Sequence, residues 1–131
     1  MKLTPSKINF FLLTKLPSAW LCGIRLKHID DSTSVTAVTH KWINQNPFKS
    51  MYFAVQAMAA ELSTGALVMK EIQESGLKIS MLVAENKSSF HKKAVGKIKF
   101  TCEDGELVKK SVKLCKINTE GQKFWMTSIG T

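Results

Sequence analysis

The stretch "NPFKSMYFAVQAMAAELSTGALVMK", residues 46–70, is apolar, small or uncharged from Ser50 to Met69 with one exception, Glu61. A carboxylate in such surroundings cannot be buried cheaply unless a partner or water reaches it, and burial pushes it towards neutrality. A carboxyl group whose pKa is raised in this way serves, once ionised, as a general base or as a nucleophile. Two plainer meanings compete with chemistry. Glu61 could be half of a structural ion pair with Arg25 or a lysine, or one member of a narrow polar stripe on a surface.

Other residues of the same stretch could take part in such a reaction, and each also has a commoner meaning. Asn46 before Pro47 is the usual signature of a helix cap followed by the first helical position. Ser63 and Thr64 could hold a water beside Glu61, or simply bond back to their own helix. Tyr52 and Phe53 read first as core residues. Lys87, His91, Lys92 and Lys93 form a basic run that would attract phosphates, although lysines on such a segment are more often a solvated face. The cysteines, Cys22, Cys102 and Cys115, are widely spaced and form no metal-ligand pattern, which predicts no metal site and a reduced, cytoplasmic protein.

These side chains need elements to hold them. Residues 6–16 predict a short amphipathic helix stopped near Pro17. Its apolar core is too short, and too interrupted by Lys15 and Pro17, for a signal peptide. Two strand-like pieces at 23–29 and 34–43, joined by the turn "DDST", predict an antiparallel hairpin. The long apolar stretch predicts a helix wrapped on all sides by protein, ending near Gly76. Its length approaches the ~20 residues of a membrane span. Gln56, Glu61, Ser63 and Thr64 interrupt it, however, so no membrane partner is expected. Strands are predicted at "LKISMLVAENKSSF", "AVGKIKFTCEDG" and "KFWMTSIGT", with a short helix favoured over a strand for "DGELVKKSVKLCKIN". The order predicts a single α+β domain over residues 1–131, an antiparallel sheet curved around one central helix.

Composition narrows the partners. Lys and Arg number 19 against 10 Asp and Glu, a net charge of +9 that favours anionic ligands. A nucleic-acid-binding module would use that charge with Phe90, Phe100 and Trp125 as stacking rings. No RRM, KH or zinc-finger signature accompanies them, so that reading ranks last.

The segment "NPFKSMYFAVQAMAAELSTG" resembles the central-helix region of hotdog-fold acyl-CoA thioesterases. It is most similar to a thioesterase-like bacterial family without an assigned substrate, related to the phenylacetate-pathway type. The resemblance covers nearly the whole chain. In those relatives an Asn precedes a His-Gly-Gly turn, and an acid follows about two and a half helical turns later. With Glu61 as the acid, Asn46 matches the Asn and Gly65 a small residue one turn beyond. Tyr52, Phe53 and Ala54 replace His-Gly-Gly, a departure that bears on activity.

The resemblance implies a thioester hydrolase with Glu61 as base or nucleophile and the Phe53 N–H at the helix start as oxyanion donor. Asn46 would orient water or substrate, helped by Thr64 or Ser63, with Tyr52 at the substrate. Lys92 and Lys93 would receive the phosphates of coenzyme A, which enters as part of the substrate and not as a cofactor. It also implies a homodimer or a dimer of dimers with shared sites, and one further strand after 123–129, without which the last strand is an open edge. The rival within the same fold is a protein that binds acyl groups, or only assembles, without catalysis. Because a backbone donor survives side-chain replacement, the oxyanion role requires regular helix to begin at or after Ser50.

Overall fold

Thr4 opens the first helix by accepting a hydrogen bond from the Lys7 N–H at 3.3 Å, and Pro5 takes the first helical position. This computed structural model describes residues 2–118 and 120–131. Helix α1, Pro5–Lys15, turns Ile8 and Leu12 into the core and leaves Phe10 and Leu13 outside. Pro17 does end α1, as the sequence predicts, but it also starts a second helix, α2 (Pro17–Leu21). The reversal happens at Leu16, whose φ of −130° and ψ of 60° are non-helical, so the chain bends into an elbow.

Strands β1 (Arg25–Ile29) and β2 (Ser34–Thr39) form the expected antiparallel hairpin. Asp30 makes its turn, since one carboxylate oxygen accepts the N–H groups of Ser32 and Thr33, each at 2.8 Å. The second strand is shorter than predicted. It stops at Thr39 because Asn44, fully buried, gathers the chain into a 3₁₀ turn at Trp42–Asn44, donating to the Cys22 and Thr39 carbonyls at 2.9 Å each.

The long helix, α3, runs from Phe53 to Ser75 and ends at Gly76, whose φ of 72° is the left-handed geometry that glycine adopts without strain. It lies across the inner face of the sheet, where Leu26, Thr36, Val38 and Phe100 point. Ala59 and Ala66, both without solvent exposure, let the backbones close up. At that approach the Thr36 hydroxyl donates to the Ala59 carbonyl at 2.7 Å.

Strand β3 (Lys97–Cys102) pairs antiparallel with β2 in continuous register from Ser34↔Cys102 to Thr39↔Lys97. Helix α4 (Gly105–Ile117) confirms the helical reading of its ambiguous segment, with Val108 and Val112 buried against Leu67 and Cys102 in a second core cluster. Strand β4 is only Ile129–Gly130, giving a sheet of order β1-β2-β3-β4. The fold is α+β, four antiparallel strands curved around one long helix.

Two predicted strands are corrected. Residues 77–91 form no ladder with the described residues, and of 123–129 only the end pairs. Their side chains nonetheless fit a sheet surface. Ile79, Phe124 and Met126 pack on the second cluster, and exposure alternates along 121–129. The alternation is thus present at 77–80 and 121–129, whereas no partner edge that would make these segments strands is found among the described residues. Among the described residues, no helix is long and apolar enough to cross a membrane.

Candidate active site

The helix start is built by the loop before it. Asn46 folds this loop into a turn, its side-chain oxygen accepting from the Phe48 N–H at 2.8 Å and its amide donating to the Ser50 hydroxyl at 2.9 Å. Asn46 therefore shapes the approach to α3, and it caps this local turn rather than the helix. Lys49 takes a φ of 59° to complete the reversal, and Lys93 fastens the loop by donating to the Phe48 carbonyl at 3.3 Å. Lys92 is exposed beside it.

Regular helix then begins at Phe53, within the range that an oxyanion role requires. The Tyr52 carbonyl accepts from Val55 and Gln56 at 3.0 and 3.3 Å, while no side chain caps the helix. Among the described residues, the N–H groups of Phe53 and Ala54 have no acceptor. Two backbone donors and the positive end of a 23-residue helix dipole thus face outward together. Tyr52 and Phe53 flank them half-exposed, their rings 5.0 Å apart edge to face, with Phe90 next in the row at 6.3 Å from Phe53.

Glu61 lies two turns further on, on the same stripe as Phe53, Ala57 and Gly65. It is partly buried, and burial alone raises its pKa above the ordinary glutamate value of 4.5. Among the described residues, no ion pair or hydrogen bond of its carboxylate lowers it again. Arg25, one partner proposed from the sequence, is engaged elsewhere. Its guanidinium lies 4.1 Å from the Trp20 ring centre and donates to the Trp20 and Ile24 carbonyls. Glycine at 65 leaves room for the acid, since a Cβ there would stand 3.2 Å from a Glu61 carboxylate oxygen.

Glu61 also borders a groove of about 420 Å³ between the α1–α2 elbow and α3. Thr64 and Ser63 do not turn towards it. Thr64 donates to the Glu61 carbonyl at 2.9 Å, and buried Ser63 bonds the Ala60 carbonyl and the Ser128 hydroxyl, both at 2.6 Å. Both hydroxyls bond back to their own helix, the commoner role for such residues, and Ser63 also ties the helix to Ser128.

The structural ion pair that competed for Glu61 belongs instead to Lys70, which the sequence reading passed over. Its side chain is 1% exposed, with the ammonium 2.5 Å from Asp31 and 2.8 Å from Glu74. Burial pulls the ammonium down, but Asp31 and Glu74 outweigh it and hold the pKa above the usual lysine value of 10.5. The "KEIQE" spacing hinted at the Glu74 contact, but the reach to the hairpin turn needed the fold.

Two other chemistries lose ground. The cysteines are free thiols, and burial pushes Cys102 up to about 11, leaving it a poor nucleophile. Phe100 is buried in the core, so only Phe90 and Trp125 of the proposed stacking rings are exposed.

No protein-family model matches the sequence, and among curated proteins no significant relative is found. Solved structures do match. A protein of unknown function from Chlorobaculum tepidum aligns over 89% of this chain and 75% of its own, with a TM-score of 0.76 at 19% identity. A Pseudomonas aeruginosa protein of unknown function, provisionally described as a thioesterase, aligns over 88% and 77%, with a TM-score of 0.71 at 19% identity. The chain has the hotdog fold. A Shewanella oneidensis protein, also provisionally described as a thioesterase, matches at a TM-score of 0.69 and 10% identity over 76% of this chain and 68% of its own. At these identities the likeness shows the fold alone, and neither an activity nor a substrate.

Proposed function

We propose that this hotdog protein hydrolyses an acyl-CoA thioester to the free acid and coenzyme A. The observation that carries the reading is the lone Glu61 carboxylate, without a protein partner and beside an apolar groove, on a helix whose first N–H groups have no acceptor. Glu61 takes a proton from water as the water oxygen attacks the thioester carbonyl carbon. The oxyanion that forms is stabilised by the Phe53 N–H, with that of Ala54 and the helix dipole in support. Collapse of the tetrahedral intermediate breaks the C–S bond, and the proton passes to the leaving thiolate. Attack by Glu61 itself, through a mixed anhydride that water then opens, uses the same groups.

The two halves of this machinery do not meet within one chain. Phe53 and Glu61 are separated by eight residues of helix, about 12 Å along its axis, too far to act on one carbonyl. A second copy presenting its helix start to Glu61 completes the site, so the working unit is a homodimer or a dimer of dimers. The segments at 77–91 and 123–128, which form no ladder with the described residues, offer backbone along which copies would join. Lys92 and Lys93, near the helix start, would receive the phosphates of coenzyme A.

Glu61→Gln tests the reading against a panel of acyl-CoA thioesters. Loss of the base should lower kcat by roughly 10²–10⁴-fold. With no ion pair to break, the melting temperature should stay within about 2 °C of wild type. A wild-type protein that binds these thioesters and turns over none of them would be a silent acyl binder. A large loss of stability on Glu61→Gln would return the residue to a structural role.

A further inference from the structure

The groove beside Glu61 has a composition that points past hydrolysis in general to one kind of substrate. Leu12, Leu16 and Pro17 of the α1–α2 elbow form one wall, and Ala57, Met58 and Leu62 of α3 the other. Glu61 is the acid on that lining, and exposed Lys15 stands at the rim. Only short stretches, the elbow from Leu12 to Ala19 and under two turns of α3, make up the lining, so the groove follows the line where they meet. An apolar trench with one acid and one cation suits a ligand that is a hydrocarbon over most of its length and polar at one end.

We infer that this groove is the acyl subsite, formed within a single chain by the N-terminal elbow, and that it takes an unbranched aliphatic acyl group of medium length. The inference rests on the thioesterase reading for its orientation, with the carbonyl at Glu61 and the tail running between Leu16 and Ala57. Its length follows from volume. A dry protein cavity of about 150 Å³ holds the six carbons of benzene. The 420 Å³ here would hold roughly three times that if closed. Because the groove is open along one side, about eight to twelve carbons is the fitting range. Met58, unbranched and adaptable, can follow a flexible chain, while Ala57 sets the depth by being small.

The elbow also accounts for a feature that the helix alone leaves unexplained. Pro17 fixes the bend by opening α2 while Leu16 breaks α1, and this puts Leu16 and Pro17 over the middle of α3. A straight continuation of α1 would leave Ala57 and Met58 without that facing wall.

Decanoate, hexanoate and decanoyl-CoA, titrated calorimetrically into the full chain, test the assignment in wild type, Ala57→Phe and Leu16→Asp. Wild type should bind decanoate more tightly than hexanoate. Ala57→Phe should weaken decanoate at least tenfold by filling the room of several methylenes, and hexanoate less. Leu16→Asp, which keeps α3 unaltered, should weaken both decanoate and decanoyl-CoA. Absence of decanoate binding, or binding that neither folded variant changes, overturns the subsite. Decanoate binding that responds to both variants, in a protein that hydrolyses no thioester, keeps the subsite and discards the hydrolase.

Discussion

Phe53→Pro separates the backbone donor at the helix start from the ring that carries it. Proline belongs at a first helical position, where its missing N–H would have had no partner. The residue before a proline must be extended, and Tyr52 already is, with φ −61° and ψ 137°. The substitution should therefore fold, and it deletes one hydrogen atom from the proposed oxyanion site. Removing one oxyanion donor typically costs ~10²–10³ in kcat. Ala54, whose N–H also lacks an acceptor, can take up part of the charge, so the expected loss is at the lower end, about a hundredfold. Phe53→Ala is the control, because it loses the same ring contacts with Tyr52 and Phe90 and keeps the N–H. The assay is release of free coenzyme A from decanoyl-CoA, with helicity and melting temperature recorded for both variants. Equal kcat in two equally folded variants would refute the oxyanion assignment.

Gly65→Ala should raise the melting temperature, since alanine favours helix over glycine by ~1 kcal/mol, yet slow hydrolysis severalfold because its Cβ crowds a Glu61 oxygen at 3.2 Å. An unchanged rate would show that the acid has room to spare. The rate should rise with pH through a value above the ordinary 4.5, because burial raises the Glu61 pKa and the base acts only when ionised, and Glu61→Gln should abolish that limb. The same shift has a stability counterpart: wild type loses its Glu61 contribution as pH rises from 4.5 through the raised folded pKa, and the glutamine variant does not. Lys70→Met should lower the melting temperature at pH 7 by roughly 5–10 °C, leaving Asp31, Glu71 and Glu74 within 4.8 Å of one another with only Lys109, 3.7 Å from Asp31, to offset them. That deficit should shrink as pH falls below 3.8, because Lys70 holds the Asp31 pKa under that value, so wild type loses this stabilisation as Asp31 protonates whereas the variant has none to lose. A gap constant with pH would mean that packing, not charge, holds Lys70 in place.

The parts of this molecule legible from sequence are those fixed by local periodicity. The all-round apolar run gave the central helix, "DDST" the hairpin turn, and the spacing of Val108 and Val112 the last helix. Glu61 was legible because one charge stood against a uniform background. What stayed hidden depends on contacts between distant segments. Alternation at 77–80 and 123–129 reports which side chains face inward, but says nothing of whether a neighbouring strand exists. Pro17 reads equally as a stop and as a start, and the broken geometry of Leu16 makes it both. Lys70 looked like the end of an apolar run, and only the return of the hairpin turn shows it buried at an ionic junction.

That hairpin turn has a consequence for how the chain reaches its native state. Its own geometry is local, made by Asp30 with Ser32 and Thr33. Its neighbours are not, because Asp31 takes the ammonium of Lys70 from 39 residues away, and Ser32 accepts from the N–H of Gly105, where a side chain would overlap the Asp31 carbonyl. These four residues should therefore nucleate early and be clamped late. Closing the longer loops demands entropy that the turn itself does not. Damage to Asp30 should slow refolding, while damage to the Asp31–Lys70 or Ser32–Gly105 contacts should chiefly speed unfolding, so neighbouring positions of one turn would govern opposite arms of the chevron.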